Sequence, residues 1–220
     1  MTILEARALN KIYTVDHQDI MVLNDVSLQV ETGEFLVITG SSGSGKTTLL
    51  TLLSGLDKPT SGRVIIDEQD ITGASEDDLA PLRNRMIGFV FQSFHLVPSM
   101  TALENIMFPA ELNGDKQAAA KAERLLVRVG LSERGDNFPH QLSGGEKQRV
   151  AICRALINNP DIIFADEPTG NLDSVNDSII LHLLLELRRE HGTTLLLATH
   201  SKEIAATADR VVHLMDGRIV

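Results

Sequence analysis

Tryptophan is missing from the 220 residues, and tyrosine and cysteine occur once each. No apolar run approaches the roughly 18–20 residues needed to cross a bilayer. Each shortage excludes something. The single cysteine, Cys153, cannot close an internal disulfide, which is compatible with a reducing compartment. The first residues, "MTILEARALNKIY", have no apolar stretch behind a basic segment and read without a signal peptide. With no span of its own, the chain needs a partner for any role at a membrane. Positive charge is also scarce. Twenty Lys and Arg face 30 Asp and Glu, a formal net charge of −10, so no global field draws the chain to nucleic acid. Internal repeats, low-complexity stretches and long blocks of like charge are absent too.

What is present is enough apolar residue, 43%, to build a core, and enough length for one large or two small domains. "EFLVITG" (34–40), "MIGFVF" (86–91), "DIIFAD" (161–166) and "TTLLLAT" (193–199) are short apolar runs that read as buried strands. "KTTLLTLLSGL" has helical spacing. In "SVNDSIILHLLLELRRE" (174–190) the spacing predicts a helix with Val175, Ile179, Leu183 and Leu187 on one face, stopped by "HG". Strands alternating with helices predict a parallel sheet covered on both faces. Residues 2–30 and 61–68 read instead as strands and hairpins, and "DGRIV" as a tight turn into a strand. Residues 100–158 read as mostly helical. The expected fold is α/β, a parallel-sheet core with a small antiparallel sheet and a helical insert.

Gly40-Ser41-Ser42-Gly43-Ser44-Gly45-Lys46-Thr47, followed by Thr48, fits G-x-x-x-x-G-K-[ST] between a predicted strand and a predicted helix. Glycines let successive N–H groups turn inward, and the helix N-terminus adds partial positive charge, so the loop is suited to nucleotide phosphates. Lys46 is placed to reach the β- and γ-phosphates, and Thr47 to ligate Mg²⁺. At the tip of "DIIFADEP", Asp166 is the candidate Mg²⁺ holder and Glu167 the candidate general base. His200, just after "TTLLLAT", is the candidate γ-phosphate sensor. Gln92, at the tip of "GFVFQ", could bind the metal or its water. Tyr13 has two readings: a flat partner for a purine, or an aromatic packed in the small sheet.

A second glycine-rich turn lies in "HQLSGGEKQRV" (140–150). Ser143 and Glu146 form S-x-x-E, a capping box. That explains neither Gly144 nor Gly145, which cost stability in a first turn. A serine hydroxyl, bare N–H groups and a helix N-terminus together suit an anion. One nucleotide cannot readily use two cradles on different lobes. Two copies arranged head to tail can, each "SGG" turn closing on the γ-phosphate held by the other copy's first loop.

Taken together, these motifs resemble the ATP-binding-cassette (ABC) ATPases over nearly the whole chain: Tyr13, the first loop, Gln92, "LSGGEKQR" from Leu142, "IIFADEP", "GNLD" and His200. The frequent family signature reads LSGGQ, from which Glu146 departs, and Thr47 replaces the commoner serine. The resemblance implies a RecA-like P-loop NTPase fold in one nucleotide-binding domain. Its catalytic core and antiparallel β subdomain would cover 1–92 and 159–220, and a helical signature subdomain 93–158. It also implies ATP and Mg²⁺ as ligands, adenine stacking on Tyr13, and a homodimer with ATP between subunits. Asn171, Leu172 and Asp173 would form a loop touching the opposite subunit. "GLDKPTSG", "IGFVFQSFHLVPSMTALENI" and "ADEPTGNLDS" look like the lipoprotein-release and macrolide-exporter branch. That likeness implies an integral-membrane permease partner, bound through the segment after Gln92 and the helix at 100–112, on the cytoplasmic face of the cell membrane. Competing functions are an ATPase that transmits force to an envelope enzyme without transport, a soluble ABC ATPase acting on DNA or ribosomes, and a P-loop kinase. The interval between first loop and signature contains no sustained heptads, and the acidic balance argues against nucleic acid.

Overall fold

In the computed structural model the described residues are 1–170 and 174–220, with the side chains of 174–179, 187 and 191 outside the description. In chain order the first elements are β1 (Thr2–Val15), β2 (Gln18–Glu31), β3 (Phe35–Thr39), α1 (Lys46–Leu53), β4 (Ser61–Ile66), β5 (Gln69–Asp70) and α2 (Glu76–Met86). There follow β6 (Ile87–Phe91), α3 (Ala102–Leu112), α4 (Ala118–Arg128), α5 (Gly144–Leu156), β7 (Ile162–Asp166) and α6 (Ser174–His191). The chain ends with β8 (Thr194–Ala198), α7 (Lys202–Ala205), β9 (Arg210–Met215) and β10 (Arg218–Ile219). Two compact units divide these elements: Met1–Arg83 with Thr194–Val220, and Asn84–Thr193.

In the first unit β1 and β2 form a long antiparallel hairpin, with Val15 opposite Gln18, and the antiparallel sheet runs β2-β1-β4-β5. β3 lies between two parallel neighbours, β8 and β9. Residues 35–38 and 195–198 are at most 1% exposed, as strands covered on both faces require. The predicted turn before β10 is built from Asp216 and Gly217, both at positive φ, which reverses β9 onto an antiparallel partner.

In the second unit β6 and β7 pair in parallel from Ile87↔Ile162 to Phe91↔Asp166. Phe89 stacks on Phe91 (5.2 Å between centroids) and on Phe164 (5.5 Å). Helices α3, α4 and α5 share a core that includes Ile106, Ala122, Leu126, Val150 and Cys153. α4 contributes Ala118, Ala122 and Leu126, the i, i+4 line that points to one side of a helix. Along α6 the described buried line is Ile180 and Leu184, with Leu183 partly buried beside it. Val175, Ile179 and Leu187, the rest of the predicted face, have side chains outside the description. Among the described residues no helix is long and apolar enough to cross a membrane.

Candidate active site

The glycine-rich loop joins β3 to α1. Gly45 is the N-cap of α1 at φ 101°, a left-handed conformation that glycine adopts without penalty. A Cβ there would also press on Leu23 Cδ2 (2.9 Å) and the Val22 carbonyl (3.0 Å). No side chain caps α1, and no acidic residue sits in its first turn, so the positive end of the helix is left to whatever the loop holds. Lys46 is 8% exposed, and its Nζ donates to the Gly40 and Ser41 carbonyls at 3.0 and 3.2 Å. The Ser44 hydroxyl is buried with no hydrogen-bond partner among the described residues. β3 and β8 run in parallel with Ile38 opposite Ala198. The loop and His200 therefore leave adjacent strands at the same end, and His200 is exposed.

Tyr13 lies near the end of β1, 38% exposed. Its hydroxyl donates to Asp57 Oδ2 at 2.8 Å. Lys11, 9% exposed, places Nζ 4.7 Å from the ring centroid, 2.9 Å from Asp57 Oδ1 and 2.7 Å from the Lys58 carbonyl. Burial alone would push the Asp57 carboxyl up. Hydrogen bonds from Lys11, Tyr13 and the Lys58 amide outweigh it and hold the group below the usual carboxylate range. Burial, and then the Asp57 carboxylate, pushes the Tyr13 phenol above its ordinary value. The ring is thus fixed through its hydroxyl and covered on one face by a cation, yet stays exposed. Lys11 and Asp57 were not marked by the sequence reading. Lys11, two residues from Tyr13 on a strand, was within reach of the period-2 rule, and Asp57 was not.

In the second unit, the Phe91↔Asp166 pairing sends Gln92 and Glu167 out from neighbouring strand tips. Glu167 has φ 43°, and its carbonyl accepts from the Gly170 amide at 3.0 Å, so the chain turns sharply at the candidate base. A Cβ on Gly170 would lie 3.0 Å from Gln92 Nε2 and 3.5 Å from Glu167 Cβ, so the two side chains share one small space.

Ser143 is the N-cap of α5. Its Oγ accepts from the Glu146 amide (3.3 Å), and Glu146 Oε2 accepts from the Ser143 amide (2.8 Å), the predicted capping box. Glu146 Oε1 also lies 3.1 Å from Arg134 Nε. The Ser143 amide, supported by Arg134, holds the Glu146 carboxyl below its ordinary range against the opposing effect of burial. Ser143 remains exposed, its hydroxyl also engaged with the Glu146 carboxylate, whereas Leu142 is 5% exposed and anchors the turn in the helical core.

The family profile described as "ABC transporter" matches residues 23–170, which hold the loop, Gln92, the Ser143 turn and Glu167. The chain belongs to the ABC transporter family. It is similar to the lipoprotein-releasing system ATP-binding protein LolD of Syntrophotalea carbinolica, 47% identical over 98% of this chain and 96% of that protein. It is equally similar to the ABC transporter ATP-binding protein YbbA of Escherichia coli K12, 46% identical over 99% and 96%. The macrolide export ATP-binding/permease protein MacB of Syntrophobacter fumaroxidans is 48% identical over all of this chain, which spans 31% of that protein's length. Among solved structures, a dimer of the ATP-binding cassette MJ0796 in a post-hydrolysis state with ADP and Pi superposes with a TM-score of 0.91. It shares 40% identity over 98% of this chain and 96% of the other. The fold is accordingly the α/β P-loop NTPase fold of an ABC cassette, and the chain is an ABC-type ATPase.

For this ABC cassette the nucleotide fits the residues present. The orphaned Ser44 hydroxyl, the uncapped start of α1 and the buried Lys46 ammonium all favour an anion at the loop. By the chemistry of their oxygens, hydroxyl in Thr47 and, in the second unit, amide in Gln92 and carboxylate in Asp166, each is the hard kind of donor that Mg²⁺ takes. No cluster of three or more His, Cys, Asp or Glu forms a metal cage among the described residues, and a Mg²⁺ completed by phosphates and water needs none. Asn171, Leu172 and Asp173 lie outside the described residues.

Proposed function

We propose that this chain is the ATP-hydrolysing subunit of a transporter of the lipoprotein-release and macrolide-export kind, working as a head-to-tail pair with one ATP between each loop and the other copy's Ser143 turn. In each site Gly40 to Thr48 cradle the phosphates, with Lys46 on the β- and γ-phosphates. Tyr13 stacks on the adenine. Thr47, Gln92 and Asp166 hold Mg²⁺, which neutralises charge on the β- and γ-phosphates. Glu167 accepts a proton from the attacking water, and His200 contacts the γ-phosphate. Ser143, Gly144 and Gly145 donate to the γ-phosphate bound by the other copy, and Asn171 to Asp173 link the two sites.

The observation that carries this reading is the near-full-length similarity to LolD, with every hydrolysis motif present. In solved relatives a dimeric cassette of this kind is known with ADP and Pi bound. No helix among the described residues is long and apolar enough to cross a membrane; coupling to transport would run through a permease part beyond these residues, and the chain would sit on the cytoplasmic face of the membrane through it. Affinity purification from detergent-solubilised membranes, followed by mass spectrometry, is the test. Recovery of a permease with few spans and a large extracytoplasmic domain supports the reading. Recovery of nucleic acid or ribosomal proteins in its place contradicts it.

A further inference from the structure

Arg154 sits in the last turn of α5 and has no carboxylate partner among the described residues. Its guanidinium donates to two main-chain oxygens, His95 O from Nη1 at 2.5 Å and Phe94 O from Nη2 at 2.8 Å. Burial, unopposed by any neighbouring acid, pulls its pKa down. A partly buried cation held only by peptide carbonyls needs a reason.

The two carbonyls supply one. Phe94 and His95 have φ of 60° and 48°, consecutive left-handed positions for bulky side chains, an arrangement that the chain does not keep without constraint. Local contacts help: Phe94 N donates to Phe91 O (3.2 Å), and the His95 ring meets Phe91 edge-on at 4.8 Å. Arg154 adds two charge-assisted bonds from another element. The far end of the same irregular segment is fixed by Asn105, 1% exposed. Its Oδ1 accepts from Val97 N (2.7 Å), and its Nδ2 donates to the Val97 and Met100 carbonyls. Gln92 therefore stands at the head of a segment clamped at two points. The clamp's helix also touches the strand that carries Gln92. Any Cβ on Gly88 of β6 would collide with the Ala155 carbonyl of α5. Eleven residues before Arg154, roughly 16 Å along the same helix, is Ser143.

We infer that Arg154 is a positioning residue that ties the loop bearing Gln92 to the helix bearing Ser143. Capture of a phosphate at the start of α5 is then felt at Gln92 in the same protomer. Each protomer thereby reports the occupancy of the site it completes to the site it owns. The inference rests on the two-protomer reading above.

The test compares wild type with Arg154→Gln and Arg154→Lys, the second keeping the charge but losing the two-pronged donor. Both variants should bind ATP within about twofold of wild type. The kcat of Arg154→Gln should fall about tenfold or more at unchanged KM, with Arg154→Lys between, the pattern of a group that acts on turnover rather than on binding. Hydrogen exchange at 94–97 should be slowed by ATP in a Glu167→Gln chain and no longer slowed once Arg154→Gln is added. If Arg154→Gln does not fold, Arg154→Lys carries the same comparison. A folded variant with full kcat, or with undiminished ATP protection of the loop, overturns the inference while leaving the dimeric reading intact. A wild-type chain that fails to pair on ATP overturns both.

Discussion

Phe91 and Asp166 stand opposite one another at the ends of β6 and β7, and this pairing delivers Gln92 and Glu167 to the same small space. The strand register, more than any loop, thus sets the geometry of the candidate base and its neighbour. Glu167→Gln removes the proposed proton acceptor and keeps the shape. Turnover should drop about a hundredfold or more with ATP affinity retained, since a positioned general base contributes about that much. Phosphate-release kinetics beside equilibrium nucleotide titration decide it. Loss of binding with turnover would assign Glu167 to the fold of the turn.

Tyr13 is the only tyrosine and tryptophan is absent, so ultraviolet titration and intrinsic fluorescence report on this ring alone. Its phenol should titrate above the ordinary value of about 10, chiefly through burial, and Asp57→Asn should lower it only part of the way. ATP should perturb the fluorescence, and Tyr13→Ala should weaken binding by roughly 1–3 kcal/mol, the worth of stacking on a base. Unchanged fluorescence at saturating ATP would return Tyr13 to a packing role.

Asp57 and Glu146 both titrate below their ordinary values in the folded chain. The sign follows: an acid with a lowered folded pKa stabilises the fold above its unfolded pKa, about 4, and that contribution disappears as pH falls through the folded value. Chemical denaturation at pH 6 and pH 3 should show a larger pH-dependent loss in wild type than in Asp57→Asn. Glu146→Gln should keep the cap, lose part of the acid dependence and retain turnover within a few-fold, since glutamine also closes the box.

Cys153 is fully buried in the helical core, where burial pushes its thiol up to about 12. A thiol reagent at pH 8 should leave the folded chain unmodified and label it only on unfolding. Rapid labelling without denaturant would show that the core around α5 opens readily.

Much of this architecture was legible in the chain itself. Short apolar runs such as "DIIFAD" read as buried strands, and G-x-x-x-x-G-K-T marked the turn between β3 and α1. The capping box at Ser143 was visible because its partners are three residues apart. Residues that act across long sequence distances were not. Asp57 meets Lys11 through a separation of 46 residues, and Arg154 meets Phe94 through 60, so no local pattern encodes either. The buried line of α6 at Ile180 and Leu184 illustrates a milder limit. Where apolar residues fill most of two turns, spacing alone does not pick the face that packs.

The most direct measurement is the mass in solution of the Glu167→Gln chain with and without Mg-ATP, read by sedimentation. On the proposed reading, a complete site needs the phosphate loop of one copy and the Ser143 turn of another. Mg-ATP should therefore double the mass, and Ser143→Arg in the same background should abolish the doubling while single-chain ATP binding persists. A chain that stays monomeric at saturating Mg-ATP and high protein concentration would contradict it.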